Sequence, residues 1–291
     1  MVNTPPTFKE HCKHVFKNKS NTERDLIIYV LKSKDKNIFN NMKTLKGFEI
    51  TRKAVPNATI VVMVVDKLPK GVDKFMETIN KNNIVLKIIK QEIKGLIVSV
   101  RFFVMKDYLI ANKGNYDRFI TMDARDAGLF GDFFATFNEN NFGFLLEQYG
   151  KWENEYFGPA SFDEHYLWLK RFISEDFANI ALEQRHIEIN GGFLYGGIEK
   201  VIDFLNIMTS EMKPKYIKKW GYDQALMNYL YYGTKKLSHL NITLEKCSER
   251  ICYYGWNEFI FEKGEILFKD SLCPPVGFHK ISSNRDKFVH A

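Results

Sequence analysis

Short, almost wholly apolar runs punctuate the first half of the chain, and they constrain its fold more than any other feature. Residues 26–31, 59–65, 84–89 and 119–122 are each of strand length and rich in β-branched or large aliphatic side chains. Between them lie segments whose apolar residues recur at helical spacing, over 37–53, 71–82 and 97–112. A run that is apolar on both faces suits a strand covered on both sides, and parallel strands need long crossovers between them. The alternation therefore predicts an α/β fold, a doubly wound and mostly parallel sheet flanked by helices. The longest run, 60–65, falls far short of the ~18 apolar residues of a membrane helix, so no membrane span is expected.

The fourth run ends on Asp123, Arg125 and Asp126. Ligands of open α/β sheets bind beyond the carboxyl ends of the strands, and two acids there suit a divalent cation held against a diphosphate. By the same rule the loop after the first strand offers Tyr29, Lys32 and Ser33 to a base and ribose. Arg101 stands out on an otherwise apolar surface of the third helical segment, where a guanidinium needs a diphosphate or an acid as partner, a plain surface salt bridge being the alternative.

Further on, 187–197 reads as a short strand, the double glycine Gly191-Gly192, a second strand and another double glycine, Gly196-Gly197. Glycine inside a strand marks close approach of the backbone to something else, and Asn190 beside it suits sugar hydroxyls. Residues 198–208 keep helical spacing, and Asp223 opens a second helix, either as a first-turn acid or as a functional one. Residues 250–254 and 266–269 suggest a C-terminal hairpin, His279 follows an apolar run, and the aromatic, charged stretch 152–172 reads as an insertion or lid. The expected organisation is an N-terminal extension, 1–23, and one catalytic domain, 24–291. A nucleotide-binding half, 24–135, precedes a sugar and acceptor half, 136–291.

At 291 residues, 45% hydrophobic, the chain can bury a continuous core. Its net charge of +7 is spread among interleaved acids with no dense basic block, which argues against nucleic acid as a partner. Cys12, Cys247, Cys252 and Cys273 match neither a zinc ribbon nor a CxxC pair, so reduced thiols are expected, with a Cys247–Cys252 disulfide as the alternative. The first ten residues carry no apolar stretch of signal-peptide type. A cytoplasmic location is expected, a truncated secretory or Golgi catalytic domain being the alternative, and the sequons at Asn18, Asn57 and Asn241 matter only in that second case.

Taken together, certain residues resemble the GT-A type glycosyltransferases, the nucleotide-diphospho-sugar transferases with an Asp-x-Arg-Asp variant of the metal motif. They are Arg101 and Tyr108, then Asp123-Ala124-Arg125-Asp126, then Phe130 with Phe133-Phe134. Asn190-Gly191-Gly192 and Gly196-Gly197 follow, then Asp223-Gln224 with Asn228, and Val276 with His279. The resemblance implies that Asp126 and Asp123 hold Mn²⁺ or Mg²⁺ with His279 completing the shell, Asp123 alternatively reaching the ribose. It implies that Arg101, Arg125 and Lys280 surround the phosphates, that Asn190, Gly191 and Gly192 line the sugar, and that Asp223 and Gln224 lie beside its anomeric carbon. The implied reaction moves a hexose from a nucleotide sugar, a UDP-sugar foremost, to a hydroxyl of a glycan, protein or lipid. A non-catalytic nucleotide- or carbohydrate-binding module and a sugar nucleotidyltransferase are the alternatives. Asp223 suits the base of an inverting enzyme and Gln224 the opposite face of a retaining one, and the sequence leaves both open.

Overall fold

The computed structural model describes residues 9–34, 36–90, 94–147, 159–253, 259–262 and 265–279. The four apolar runs become strands β1 (Asp25–Lys32), β2 (Thr59–Val65), β3 (Val85–Ile89) and β4 (Arg118–Met122). The helices α1 (Lys36–Phe39) and α2 (Met42–Ala54), then α3 (Asp73–Lys81), then α4 (Ile97–Ala111) join them in turn. After β4 come β5 (Ala127–Leu129), β6 (Phe142–Leu146), α5 (Pro159–Phe172), α6 (Glu175–Glu183) and β7 (Ile189–Gly197). The chain continues through α7 (Ile198–Glu211), α8 (Tyr222–Asn228) and β8 (Thr243–Glu245) to β9 (Ile251–Tyr253), β10 (Phe259–Glu262), β11 (Glu265–Phe268) and β12 (Gly277–His279).

Seven strands form the main sheet in the order β3-β2-β1-β4-β7-β6-β8. The pairs among β3, β2, β1 and β4 are parallel, as the alternation predicts, and β7 runs antiparallel to both its neighbours. This is the mostly parallel, helix-flanked arrangement expected from the sequence. Strand periodicity accounts for the core on its two faces: Leu26 and Ile28 of β1 join one apolar cluster, and Ile27, Tyr29 and Leu31 join the other.

The reversed strand β7 differs from its reading in sequence, since it continues unbroken through both double glycines. The second pair answers to packing: a Cβ on Gly197 would sit 1.8 Å from the Glu139 carbonyl oxygen. A buried ion pair fixes the rear of the sheet, where Arg118 donates to both oxygens of Asp25 at 2.7 Å and to the carbonyls of Phe134 and Phe137. Asn21 ties the N-terminal segment to this body, accepting from the backbone of Asn57 and Ala58 and donating to Asp132.

Two expectations about the C-terminal part are corrected. Strand β9 pairs in parallel with β12, and β10 pairs with β11, so no hairpin joins 250–254 to 266–269. Only two residues separate β10 from β11, the connection length that favours a tight hairpin, whereas Arg250 is drawn to the sheet by Thr136, Tyr195 and Glu245. The cysteines are not reduced thiols either: Cys12 is bonded to Cys273, 261 residues away, and Cys247 to Cys252.

Candidate active site

Three features of the topology deliver side chains to the carboxyl end of β4. Because β7 is antiparallel to β4, with Phe193 opposite Met122, its first residues project past the point where β4 stops. Asp123 N–H donates to the Gly192 carbonyl at 2.9 Å, so the Asn190-Gly191-Gly192 segment lies directly beside the acid. A small sheet, β5-β12-β9, does the rest: His279 of β12 stands opposite Ala127 of β5 and so next to Asp126.

His279 Nε2 lies 3.4 Å from Asp126 Oδ1 and 3.6 Å from Asp123 Oδ2. The imidazole is 1% exposed, and neither ring nitrogen has a hydrogen-bond partner among the described residues. Burial opposes its charged form, but the adjoining Asp123 and Asp126 carboxylates outweigh that and push its pKa up to about 9. Burial likewise opposes the Asp123 carboxylate, and Arg101 with His279 overcomes it, holding Asp123 well below the usual carboxylate range.

Ligand atoms of Asp123, Asp126 and His279 all fall within 4.8 Å of one another. Two hard oxygens and an imidazole suit a divalent cation, and the orphaned buried ring nitrogens fit that use. The backbone leaves room for it: a Cβ on Gly192 would meet Asp123 Oδ2 at 2.5 Å and His279 Cε1 at 2.6 Å.

Next to this trio, Arg101 of α4 binds three groups at once. Its Nη1 donates to Asp123 Oδ1 at 2.7 Å, and its Nη2 donates to the Gly191 carbonyl and to Asp223 Oδ2, the latter at 3.2 Å. Asp223 sits in the first turn of α8, whose start needs Gly221: that residue has φ +78°, and a Cβ on it would strike the Trp168 ring at 2.1 Å. Burial pushes the Asp223 carboxyl up, Asp123 adding to the effect and Arg101 opposing it.

Asn228 then fixes α8 against β7. Its Oδ1 accepts from Ile189 N–H at 2.9 Å, and its Nδ2 donates to the Ile189 carbonyl at 3.1 Å. One helical turn earlier, on the same face, Gln224 Oε1 accepts from Gly191 N–H at 3.1 Å. A Cβ on Gly191 would find Arg101 Nη2 at 3.1 Å, Asp223 Oδ2 at 3.2 Å and Gln224 Oε1 at 3.4 Å. A cation, a carboxylate and an amide carbonyl thus converge on one small space.

The structure brings together Arg101, Asp123, Asp126, Asn190, Gly191, Gly192, Asp223, Gln224 and His279. It leaves others apart. Tyr29 is 1% exposed and points into the core, its hydroxyl donating to Thr51, because the odd positions of β1 face α2. Lys32 donates to the Gly95 carbonyl and lines a separate basic pocket with Lys34, Lys94 and Lys218. Arg125 is exposed and has no partner among the described residues, and it is Arg101 that grips Asp123. Lys280 lies outside the described residues, as does the first part of the expected lid, while 159–172 forms helix α5. The Asn190 amide is engaged internally, with Oδ1 accepting from Gly192 N–H at 2.7 Å and Nδ2 donating to Glu147 at 2.6 Å, so it shapes the strand.

Glu147, Glu188 and His165 form a buried group that sequence reasoning missed. His165 pairs with Glu188 through Nδ1 and lies 3.5 Å from Glu147 through Nε2. Both acids also accept from Gln224 Nε2, at 3.0 Å for Glu147 and 2.7 Å for Glu188. Burial works against the Glu147 carboxylate, but His165, Asn190 and Gln224 outweigh it and hold its pKa low. Glu147 follows an apolar run just as Asp123 does, and the strand-end rule applied a second time finds it; His165 carries no such signal.

The sequence matches no protein-family model and no curated protein. Among solved structures the chain is similar to the galactosyltransferase LgtC in complex with donor and acceptor sugar analogs, with TM-score 0.47 and 12% identity over 87% of this chain and 86% of that one. It is also similar to a glycosyltransferase involved in glycosylation of the major capsid of PBCV-1, with TM-score 0.46 and 9% identity over 90% and 96%. A third is core-mannan synthase A from Aspergillus fumigatus in a Mn/GDP form, with TM-score 0.41 and 9% identity over 79% and 75%.

Proposed function

We propose that the chain is a metal-dependent glycosyltransferase that moves a hexose from a nucleotide diphosphate sugar, foremost a UDP-sugar, to a hydroxyl of a glycan, protein or lipid. One observation carries this reading: the buried, unsatisfied His279 imidazole converges with Asp123 and Asp126 beside the space bounded by Arg101, Asp223 and Gln224. A metal corner next to a polar cradle is the layout that a diphosphate with a sugar attached requires.

Asp126, Asp123 and His279 would hold the cation, and the imidazole favours Mn²⁺ over Mg²⁺. Bound there, it supplies Lewis-acid neutralisation of the charge on a departing diphosphate. Arg101 sets the separation of the metal corner from Asp223 by gripping an acid with each arm. Asp223 and Gln224 border the anomeric carbon, where a preorganised carboxylate and carbonyl act on developing positive charge at no reorganisation cost. Gly191 and Gly192 let the donor approach the backbone that a side chain would block.

Among the described residues no helix is long and apolar enough to cross a membrane. With all four cysteines in disulfides, the reading extends to an oxidising compartment in place of the cytoplasm.

The test is incubation with Mn²⁺ and a panel of nucleotide sugars, following release of free nucleotide. Slow donor hydrolysis is expected, abolished by chelator and by Asp126→Ala. Metal-independent binding without turnover would favour a binding module, and turnover of a sugar 1-phosphate with a nucleoside triphosphate a nucleotidyltransferase.

A further inference from the structure

Gln224 can face the cradle with either end of its amide, and the chemistry of the two ends is opposite. Its carbonyl oxygen presents partial negative charge and its NH₂ partial positive. We propose that Glu147, backed by Glu188 and His165, is a positioning residue for the transfer reaction, fixing the Gln224 amide so that the carbonyl oxygen faces the donor. The proposal rests on the glycosyltransferase reading above.

Gln224 Nε2 donates to Glu147 Oε1 at 3.0 Å and to Glu188 Oε1 at 2.7 Å. Both amide hydrogens thereby go to carboxylates, as charge-assisted bonds. Turning the amide over would set Oε1 against two carboxylate oxygens and the NH₂ against the Gly191 N–H from which Oε1 accepts. Neither contact could then be made. The orientation is thus dictated by its neighbours.

The two acids are themselves held. Glu147 N–H donates to the Glu188 carbonyl at 2.8 Å, bridging the end of β6 to the start of β7, and His165 of α5 lies against both side chains. Glu147 Oε1 also accepts from Asn190 Nδ2 at 2.6 Å, so one carboxylate orients the amides on both sides of the glycine pair. All three side chains are within a tenth of full burial, their exposures being 8% and 9% for the glutamates and 9% for His165. The cradle then presents a carboxylate and a carbonyl toward the sugar, the pair suited to a ring carbon that becomes electron-poor as its bond to the diphosphate lengthens.

The experiment uses the full chain carrying Glu147→Ala, Glu147→Asp and Glu188→Gln, alone and combined with Gln224→Ala. Donor hydrolysis with Mn²⁺ is expected to fall about 100-fold in kcat for Glu147→Ala, the cost of roughly 1 Å of misplacement, with donor KM and Mn²⁺ affinity nearly unchanged. Glu147→Asp recovers part of the loss. In the Gln224→Ala background the Glu147→Ala change has no further effect, because the two act as one unit.

Additive losses, or a change confined to KM, would overturn the proposal. Side-chain amide NMR of ¹⁵N-glutamine-labelled protein reads the orientation without turnover, so it separates failure of the positioning role from failure of the glycosyltransferase reading. The Gln224 amide protons exchange slowly in the parent and shift and exchange faster in Glu147→Ala; unchanged signals overturn the idea. Should Glu147→Ala not fold, Glu188→Gln removes the charge from one acceptor of the same amide and is read in the same way.

Discussion

The Arg101 guanidinium donates to the Asp123 carboxylate at 2.7 Å from the buried, mostly apolar face of α4. Its other arm reaches Asp223, which is 5% exposed at its side chain. Removing Arg101 strands a buried carboxylate, so Arg101→Ala should cost about 3 kcal/mol of stability as well as donor turnover. Arg101→Lys should rescue little, since one ammonium cannot reproduce a planar fork that spans two acids. Chemical denaturation alongside the hydrolysis assay checks both.

The two glycines should fail in different ways. Alanine at Gly192 would meet Asp123 and His279 atoms at 2.5 and 2.6 Å and push ligands apart. Mn²⁺ affinity should drop by about 10-fold or more. Alanine at Gly191 makes contacts of 3.1 to 3.4 Å and fills the cradle. It should keep the metal and lose the donor. Calorimetric titration of Mn²⁺, then of UDP in its presence, separates the two.

Asp223 should limit stability at neutral pH. Its folded-state pKa is raised, mainly by burial, so folding favours the protonated form. The resulting stability is fully present below the ordinary Asp pKa of about 3.9 and is lost as pH rises through the folded value. Asp223→Asn should therefore melt higher than the parent at pH 7.5, with the gap closing toward pH 4. It should also be inactive. A melt series across that range decides the matter.

Cys12 and Cys273 join the two ends of the described chain. Denatured without reductant, the protein should leave no thiol open to alkylation, and after reduction it should expose four. Replacing both Cys12 and Cys273 by serine should cost about 2–5 kcal/mol. Because Cys273 lies six positions before His279, the same change should weaken Mn²⁺ binding.

Physical reasons separate what could be read in the sequence from what could not. The runs of β1, β2 and β4 were legible because both their faces are buried, which leaves them almost free of polar residues, whereas β3, at the sheet edge with Val85 and Ile88 exposed, was legible through its β-branched and aliphatic content. Asp123 and Asp126 were legible as acids where such a run stops. His279 was legible only through resemblance, because its neighbours in space come from β5 and β9. Three-residue strands such as β9 and β12 are too short to carry a period, so the pairing of 250–254 was misread. The Cys12–Cys273 bond joins positions that no local spacing relates. Glu147 is legible by the strand-end rule at the end of β6, while Tyr29 follows that rule's logic but belongs to the buried alternation of β1.

The last strand among the described residues, β12, gives the molecule an order of manufacture. Every strand of the seven-stranded sheet lies at or before Glu245, and Asp123 and Asp126 leave the ribosome long before His279 does. A growing chain can therefore lay down its sheet and its two acids while His279 is still to be translated. Product ending near residue 270 should fold its sheet and show little affinity for metal, which makes cation binding a report on whether synthesis has passed His279.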